Sequence, residues 1–338
     1  MIHTHSHKKI IIISILTIFK CVQAHNPFVW VSIVDDNKNL WNLSTSYSCK
    51  DLYLHALSSF AYVMKDEDKA EIYAILLYDG NDGEFIKKAK SLYNLTVINT
   101  KFSLASSTEF IKKDKAWQSA ARSTYMRLDA AEHIRNLGLN CSHALVTDVD
   151  IIFLKDPRKY LAILAPEKFS ACPEDPLPQY HIFDLDKNYF NNGIVWINVD
   201  FMYKMLPALR NFILSKEFNI PGAYDQGALN QFMRKTYNNY QLEQLPLTLN
   251  WKAYWGTNPE AIIVHFPGPK PDHFAKYLRW HYSEQNTNSI SDEKAATILF
   301  PSPVGLIFIK LLHMSSPEQL QYMVDLFKNY DSTNVKKI

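Results

Sequence analysis

Short apolar runs alternate along this chain with segments whose apolar residues recur at helical spacing. Pro27-Phe-Val-Trp-Val-Ser-Ile-Val34 is an almost continuous apolar run closed by Asp35-Asp36-Asn37, as expected of a strand covered on both faces. Asp51 to Met64 has a helical pattern. Glu71 to Tyr78 reads as a second strand, ended by the turn Asp79-Gly-Asn-Asp-Gly83. Phe85 to Tyr93 is predicted helical and Leu95 to Asn99 a third strand. Strands alternating with helices predict an α/β fold with a mostly parallel central sheet and helices on both faces.

Gln118 to Asn136 carries Ala, Met, Leu and Ile at helical spacing, with Gly138 just past its end. His143 to Thr147 is predicted to be another buried strand, with Asp148 at its carboxyl end. Ligands in open α/β sheets gather outside the carboxyl ends of strands, so Asp148 stands out by position alone. Further on, Ile194 to Val199 and Ile262 to Phe266 are predicted strands, and Met202 to Leu214 and Asp225 to Arg234 helices. No internal repeat or low-complexity linker divides the chain. One domain over residues 25–280, with both halves fused in one sheet, is expected. Residues 281–338 form an extension. Within it the apolar stretch Ile298 to Ile309 is too short to span a bilayer, and packing on the domain is expected before membrane-surface contact.

The first 24 residues read as a targeting segment. Lys8 and Lys9 precede the apolar stretch Ile10 to Phe19, and Val22 and Ala24 are small residues suited to cleavage before His25. A cleaved signal peptide is the first reading and an N-terminal membrane anchor the second. His3, His5 and His7 fall in that segment and carry no role. Residues of hydrophobic type make up 47% and charged residues 21% of the 338, and the net charge is +2. This excludes the basic surface of a nucleic-acid-binding protein. With Cys21 removed, Cys49, Cys141 and Cys172 allow at most one disulfide, so this is not a disulfide-built scaffold.

Asp148-Val149-Asp150 is the first chemical signal. In extended backbone, residues two apart face the same side, and two carboxylates suit Mg²⁺ or Mn²⁺. Phosphatases of the haloacid-dehalogenase type also place D-x-D after a strand. That motif normally opens their domain and is completed by a downstream Lys and acidic pair, which this sequence does not offer in recognisable form.

Four further segments follow in order: Ser123-Thr-Tyr-Met-Arg-Leu128, Tyr189-Phe-Asn-Asn-Gly-Ile-Val-Trp-Ile-Asn198, Tyr224-Asp-Gln-Gly-Ala-Leu-Asn230 and Val264-His-Phe-Pro-Gly-Pro-Lys-Pro271. Together with the D-x-D, and over residues 27 to 275, they resemble glycosyltransferase family 8. These are retaining enzymes with a GT-A fold, a Rossmann-like architecture, and include glycogenin and the bacterial lipopolysaccharide galactosyltransferases. The resemblance implies a UDP-sugar donor, a carbohydrate or glycoconjugate hydroxyl as acceptor, and Mn²⁺ (or Mg²⁺) as cofactor. It assigns Asp148, Asp150 and His265 as metal ligands. It assigns Gly268 to close backbone approach to the diphosphate, Lys270 to its charge, and Arg127 to the donor phosphate or sugar. Asn191 or Asn192 would contact the sugar, and Asp225 and Gln226 would orient it. Asp35, Asp36 and Asn37 would bind uracil and ribose.

The chain departs from the family pattern at two places. Gly227 stands where many relatives carry an acid, which removes a carboxylate nucleophile there and favours front-face attack by the acceptor. The stretch from His265 to Lys270 is one residue shorter than in well-known members. A catalytically silent, secreted glycan-binding relative is the competing reading, opposed by the intact acidic pair, His265 and Lys270. The N-terminal segment places the protein in the secretory pathway, in an ER or Golgi lumen supplied with nucleotide sugars, or outside the cell. Asn42-Leu-Ser44, Asn94-Leu-Thr96 and Asn140-Cys-Ser142 are glycosylation triplets at a frequency near chance.

Overall fold

The computed structural model describes residues 27–36, 46–64, 72–113, 124–174, 188–218, 224–238, 240–284, 291–300 and 305–330. Asn37, Asn42, Ser123 and the targeting segment 1–24 lie outside these residues. In chain order the strands are β1 (Phe28–Asp35), β2 (Ile72–Asp79), β3 (Leu95–Asn99), β4 (His143–Thr147), β5 (Ile151–Phe153), β6 (Phe169–Pro173), β7 (Phe190–Asn198), β8 (Glu243–Gln244), β9 (Trp251–Lys252) and β10 (Ile263–His265). The helices are α1 (Cys49–Val63), α2 (Gly83–Leu92), α3 (Thr108–Lys113), α4 (Ala130–Asn136), α5 (Arg158–Leu161), α6 (Val199–Leu214), α7 (Tyr224–Thr236), α8 (Pro271–Glu284), α9 (Asp292–Leu299), α10 (Gly305–Leu312) and α11 (Pro317–Asn329).

The central sheet runs β3-β2-β1-β4-β7-β6-β8. Strands β1 to β4 are mutually parallel where they pair, and β7 enters antiparallel to both of its neighbours. This is the α/β sheet that the alternating pattern predicts. The apolar runs became strands because both faces are covered: every residue of β1 is buried. Trp30 on β1 ties this layer together. Its indole Nε1 donates to Thr147 Oγ1 on β4 at 2.9 Å, and its ring lies 4.4 Å from Phe60 and 5.1 Å from Phe153.

Helix α1 starts at a capping box, in which the Ser48 hydroxyl accepts from the Asp51 backbone N–H and Asp51 accepts from that of Ser48. It buries an unbroken stretch from Leu52 to Phe60. An all-round buried helix of this kind has apolar neighbours on several sides, and here they are the central sheet and β5. Ser59 Oγ accepts from the Phe153 backbone N–H at 3.0 Å, which satisfies a donor that no strand partner reaches.

Two elements differ from their sequence expectation. The helix predicted over Gln118 to Asn136 is, from Thr124 to Asp129, a 3-10 turn that becomes α-helical only at Ala130. The Arg127 guanidinium takes the Thr124 carbonyl at 3.2 Å, and the Asp129 carboxylate takes the Ser103 backbone N–H and Arg210. Side chains thus compete there for groups that a regular helix would use. The last predicted strand is also placed differently. β10 joins a separate three-stranded sheet, β5-β10-β9, because the chain turns out of the central sheet at Asp148–Asp150 and β5 pairs elsewhere.

Beneath that small sheet lies a cluster including Phe266, Phe274, Phe300, Phe308 and Phe327, supplied largely by α8 to α11. Within the stretch Ile298 to Ile309, Phe300, Phe308 and Ile309 are buried while Ile298 and Ile307 are exposed. Among the described residues no helix is long and apolar enough to cross a membrane. Cys49, Cys141 and Cys172 are free thiols. Truncating Phe60, fully buried between Trp30 and Phe153, removes the shared contact of α1, β1 and β5. Phe60→Ala is expected to cost ~3–5 kcal/mol, read as a lower urea midpoint.

Candidate active site

Three local irregularities build a cleft of about 250 Å³ at the carboxyl end of the central sheet. The first is the break between β4 and β5, where Asp148 and Asp150 lie. The second is a register shift in β7. Ala171 faces Val195 but the adjacent Cys172 faces Asn191, so residues 192–194 have no counterpart on β6. At that irregularity Asn191, Asn192 and Gly193 line the cleft. The third is the end of β10, where His265 pairs with Ile151 beside Asp150.

Asp148, Asp150 and His265 converge there, with one ligand atom of each lying within 4.8 Å of the others. His265 is fully buried. Its Nδ1 lies 2.9 Å from Asn250 Oδ1, while Nε2 has no hydrogen-bond partner. That nitrogen faces Asp148 Oδ2 at 3.5 Å and Asp150 Oδ1 at 3.4 Å. Burial opposes charge on the imidazole, yet the two carboxylates outweigh it and raise its pKa above the ordinary histidine value. An orphaned buried nitrogen facing two acceptors is stabilised by a cation, either a proton or a metal ion. The donor set of two hard oxygens and one imidazole suits Mn²⁺. Gly193 is required by this arrangement: a Cβ there would overlap the His265 ring and lie 2.7 Å from Asp148 Oδ2.

Lys270, Arg127 and Asp225 in the cleft are paired with opposite charges. Lys270 Nζ contacts Asp150 Oδ2 and donates to the Phe266 carbonyl at 2.8 Å. Burial penalises the Asp150 carboxylate, but Lys270 and His265 hold it well below the ordinary range. Arg127 is buried and contacts Asp148 Oδ1 and the Asn192 carbonyl, and its Nε lies 2.9 Å from Asp225 Oδ2. Burial opposes its charge, and Asp148 and Asp225 more than offset this. Burial raises the Asp225 carboxyl despite Arg127, and Asn192 Nδ2 donates to it at 2.6 Å. Gly268, at φ +83°, lines the cleft beside Lys270.

Most of the residues singled out from sequence therefore lie together: Asp35, Arg127, Asp148, Asp150, Asn191, Asn192, Asp225, Gln226, His265, Gly268 and Lys270 all line the cleft. Asp36 goes elsewhere. It accepts from the Tyr78 hydroxyl at 2.6 Å and pairs with Lys50 at 2.8 Å, a network that braces the ends of β1 and β2. Arg127 is engaged by carboxylates and a carbonyl, so it organises the cleft wall.

Glu174, Asn250 and Lys252 were not apparent from the sequence. Lys252 donates to the Glu174 carbonyl at 2.6 Å and contacts its carboxylate, and Glu174 meets Asn191 and Gln226 at 2.9 and 3.0 Å. Glu174 follows an apolar strand just as Asp148 does, and that was its only signal. Lys252 sits among Trp251, Tyr254 and Trp255, which read as core.

Residues 82–274, more than half of the chain, match the nucleotide-diphospho-sugar transferase family. Comparison with curated proteins gives no significant match. Among solved structures, the galactosyltransferase LgtC in complex with donor and acceptor sugar analogues has 15% identity. It covers 78% of this chain and 98% of its own, with a TM-score of 0.53. A second LgtC structure, of an active-site mutant, has 16% identity, the same coverage and a TM-score of 0.52. Mouse xyloside xylosyltransferase 1 has 13% identity over 72% of this chain and 98% of its own, with a TM-score of 0.48. The structural likeness establishes a GT-A fold. The chain belongs to the nucleotide-diphospho-sugar transferase family and is a glycosyltransferase.

The Glu174–Lys252 pair makes a stability prediction. Burial alone would raise the Glu174 carboxyl, but Lys252 and the amide donors hold it below the ordinary glutamate value. A depressed folded pKa contributes stability above the unfolded value, lost as pH falls through the folded one. Lys252→Met is expected to cost ~3–5 kcal/mol at neutral pH by leaving a buried carboxylate unpaired. The deficit should narrow below the ordinary glutamate range, as urea melts across a pH series would show.

Proposed function

We propose that this protein transfers a sugar from a UDP-sugar to a hydroxyl of a carbohydrate or glycoconjugate acceptor, with retention of configuration and dependence on Mn²⁺. The observation that carries the proposal is the buried Nε2 of His265, without a hydrogen-bond partner and facing the carboxylates of Asp148 and Asp150. These three residues would hold the cation. When bound, it would neutralise the donor diphosphate and serve as a Lewis acid for the leaving group.

The chain's own residues supply the rest. Asn250 holds His265 in place, and Arg127 fixes Asp148 and Asp225 relative to one another. Lys270, a flexible point charge, is suited to exchange its Asp150 contact for a phosphate oxygen. Gly268 leaves its backbone open to close approach. Gln226 and Asn192 present amides suited to sugar hydroxyls, and Asp35 at the end of β1 is suited to the nucleoside. Gly227 provides no side chain to attack the anomeric carbon, which favours delivery of the acceptor hydroxyl from the face of the departing phosphate. A compartment stocked with nucleotide sugars, as expected from residues 1–24, belongs to the same reading.

A panel of UDP-sugars assayed for hydrolysis and transfer with Mn²⁺ tests the proposal, and no turnover with any of them would overturn it. Asp150→Asn is expected to lower Mn²⁺-dependent turnover at least ~100-fold while circular dichroism remains that of the folded protein. Retention is checked by NMR of the product anomer, where an inverted linkage would refute front-face attack.

A further inference from the structure

Behind the cleft runs an unbroken line of hydrogen bonds between buried side chains. Lys252 is 1% and Glu174 8% exposed, and the ammonium engages both the Glu174 carbonyl and its Oε1. Glu174 Oε2 accepts from Asn191 Nδ2 at 2.9 Å and from Gln226 Nε2 at 3.0 Å. Asn191 Oδ1 accepts from the Gly193 backbone N–H and from Asn250 Nδ2, each at 3.0 Å. Asn250 Oδ1 then meets His265 Nδ1 at 2.9 Å.

A side-chain amide turned end for end keeps its shape, so its direction is decided by its neighbours. Here the direction is set at two points, the Glu174 carboxylate and a backbone N–H. An ammonium only donates, so the Glu174 carboxylate accepts from every other partner. Asn191 must turn its NH₂ toward Glu174, and the Gly193 N–H independently requires the oxygen on the other side. Asn250 must then give its NH₂ to Asn191 and its oxygen to His265. The neutral His265 is left with its proton on Nδ1 and its lone pair on Nε2, toward Asp148 and Asp150. The same carboxylate fixes Gln226, whose Oε1 accepts from the Asn192 backbone N–H at 3.0 Å.

We propose that Glu174, anchored by Lys252, is a positioning residue that sets the tautomer of His265 and the amide direction of Gln226. This rests on the reading of Asp148, Asp150 and His265 as a metal site. Glu174 is not itself a nucleophile: its oxygens are occupied and it does not line the cleft. One buried ion pair thereby prepares both sides of the cleft, the imidazole that meets the cation and the amide that meets the sugar.

Glu174→Gln tests this directly. Glutamine has the same shape but must aim its NH₂ at Lys252 or at Asn191 and Gln226, donors in every case. In ¹⁵N-histidine NMR of the metal-free protein at alkaline pH, wild-type His265 is expected as the Nδ1–H tautomer and the variant as a mixture. Calorimetry is expected to show Mn²⁺ affinity lowered ~10–100-fold in Glu174→Gln. Adding Lys252→Met removes the competing donor, so the double variant should recover the tautomer and most of the affinity. A role in folding alone would give no such rescue. The proposal is overturned if wild-type His265 carries its proton on Nε2, if folded Glu174→Gln keeps wild-type tautomer and affinity, or if the double variant binds no better than the single. Wild-type protein that binds no Mn²⁺ would instead refute the metal reading, and the tautomer measurement would still decide the relay.

Discussion

Buried charge dictates how the cleft is built. Arg127, Asp150, Glu174, Asp225, Lys252 and Lys270 are each less than a tenth exposed, and an isolated ion at such depth is strongly destabilising. Each is therefore tied to an opposite charge: Arg127 to Asp148 and Asp225, Lys270 to Asp150, Lys252 to Glu174. His265 Nε2 is the exception, a buried nitrogen with no hydrogen-bond partner facing two carboxylates. Cancellation within these pairs concentrates the demand for a cation at that point.

The fold meets this constraint by breaking its own regularity in chosen places. A continuous β4 would leave Asp148 and Asp150 in a ladder, and a regular β7 would send the adjacent Asn192 and Gly193 to opposite faces. The break after Thr147 and the irregularity around Gly193 place these residues at the cleft, and the Asp148 backbone N–H still donates to the Gly193 carbonyl at 2.7 Å. The surrounding layers are regular and densely apolar, so side chains at the irregular points have few alternative positions. Rigid support of this kind suits a site whose work is electrostatic.

The legible part of the site followed from local pattern. Asp148 and Asp150 announced themselves by standing two apart at the end of an apolar run, and His265, Gly268 and Lys270 through the segment that carries the family resemblance. Asp225 and Gln226 opened a segment of helical periodicity. What escaped notice lacked a local signature. Glu174 and Lys252 are far apart in the chain and meet only because β6 and β9 end near one another. Asp36 looked equivalent to Asp35, yet alternation along β1 sends the neighbouring carboxylate to Tyr78 and Lys50.

By itself the sequence determined the alternation of strands and helices, and its motifs pointed to the family and to acids and bases that line the cleft. These are consequences of periodicity and of residue type at short spacing, which any part of the chain carries locally. Only the tertiary structure decided that β10 leaves the central sheet, that Arg127 braces carboxylates, and that Glu174 is connected to His265 through two asparagines. Hydrogen-bond direction along a relay depends on which groups are neighbours in space, and spacing along the chain does not encode that.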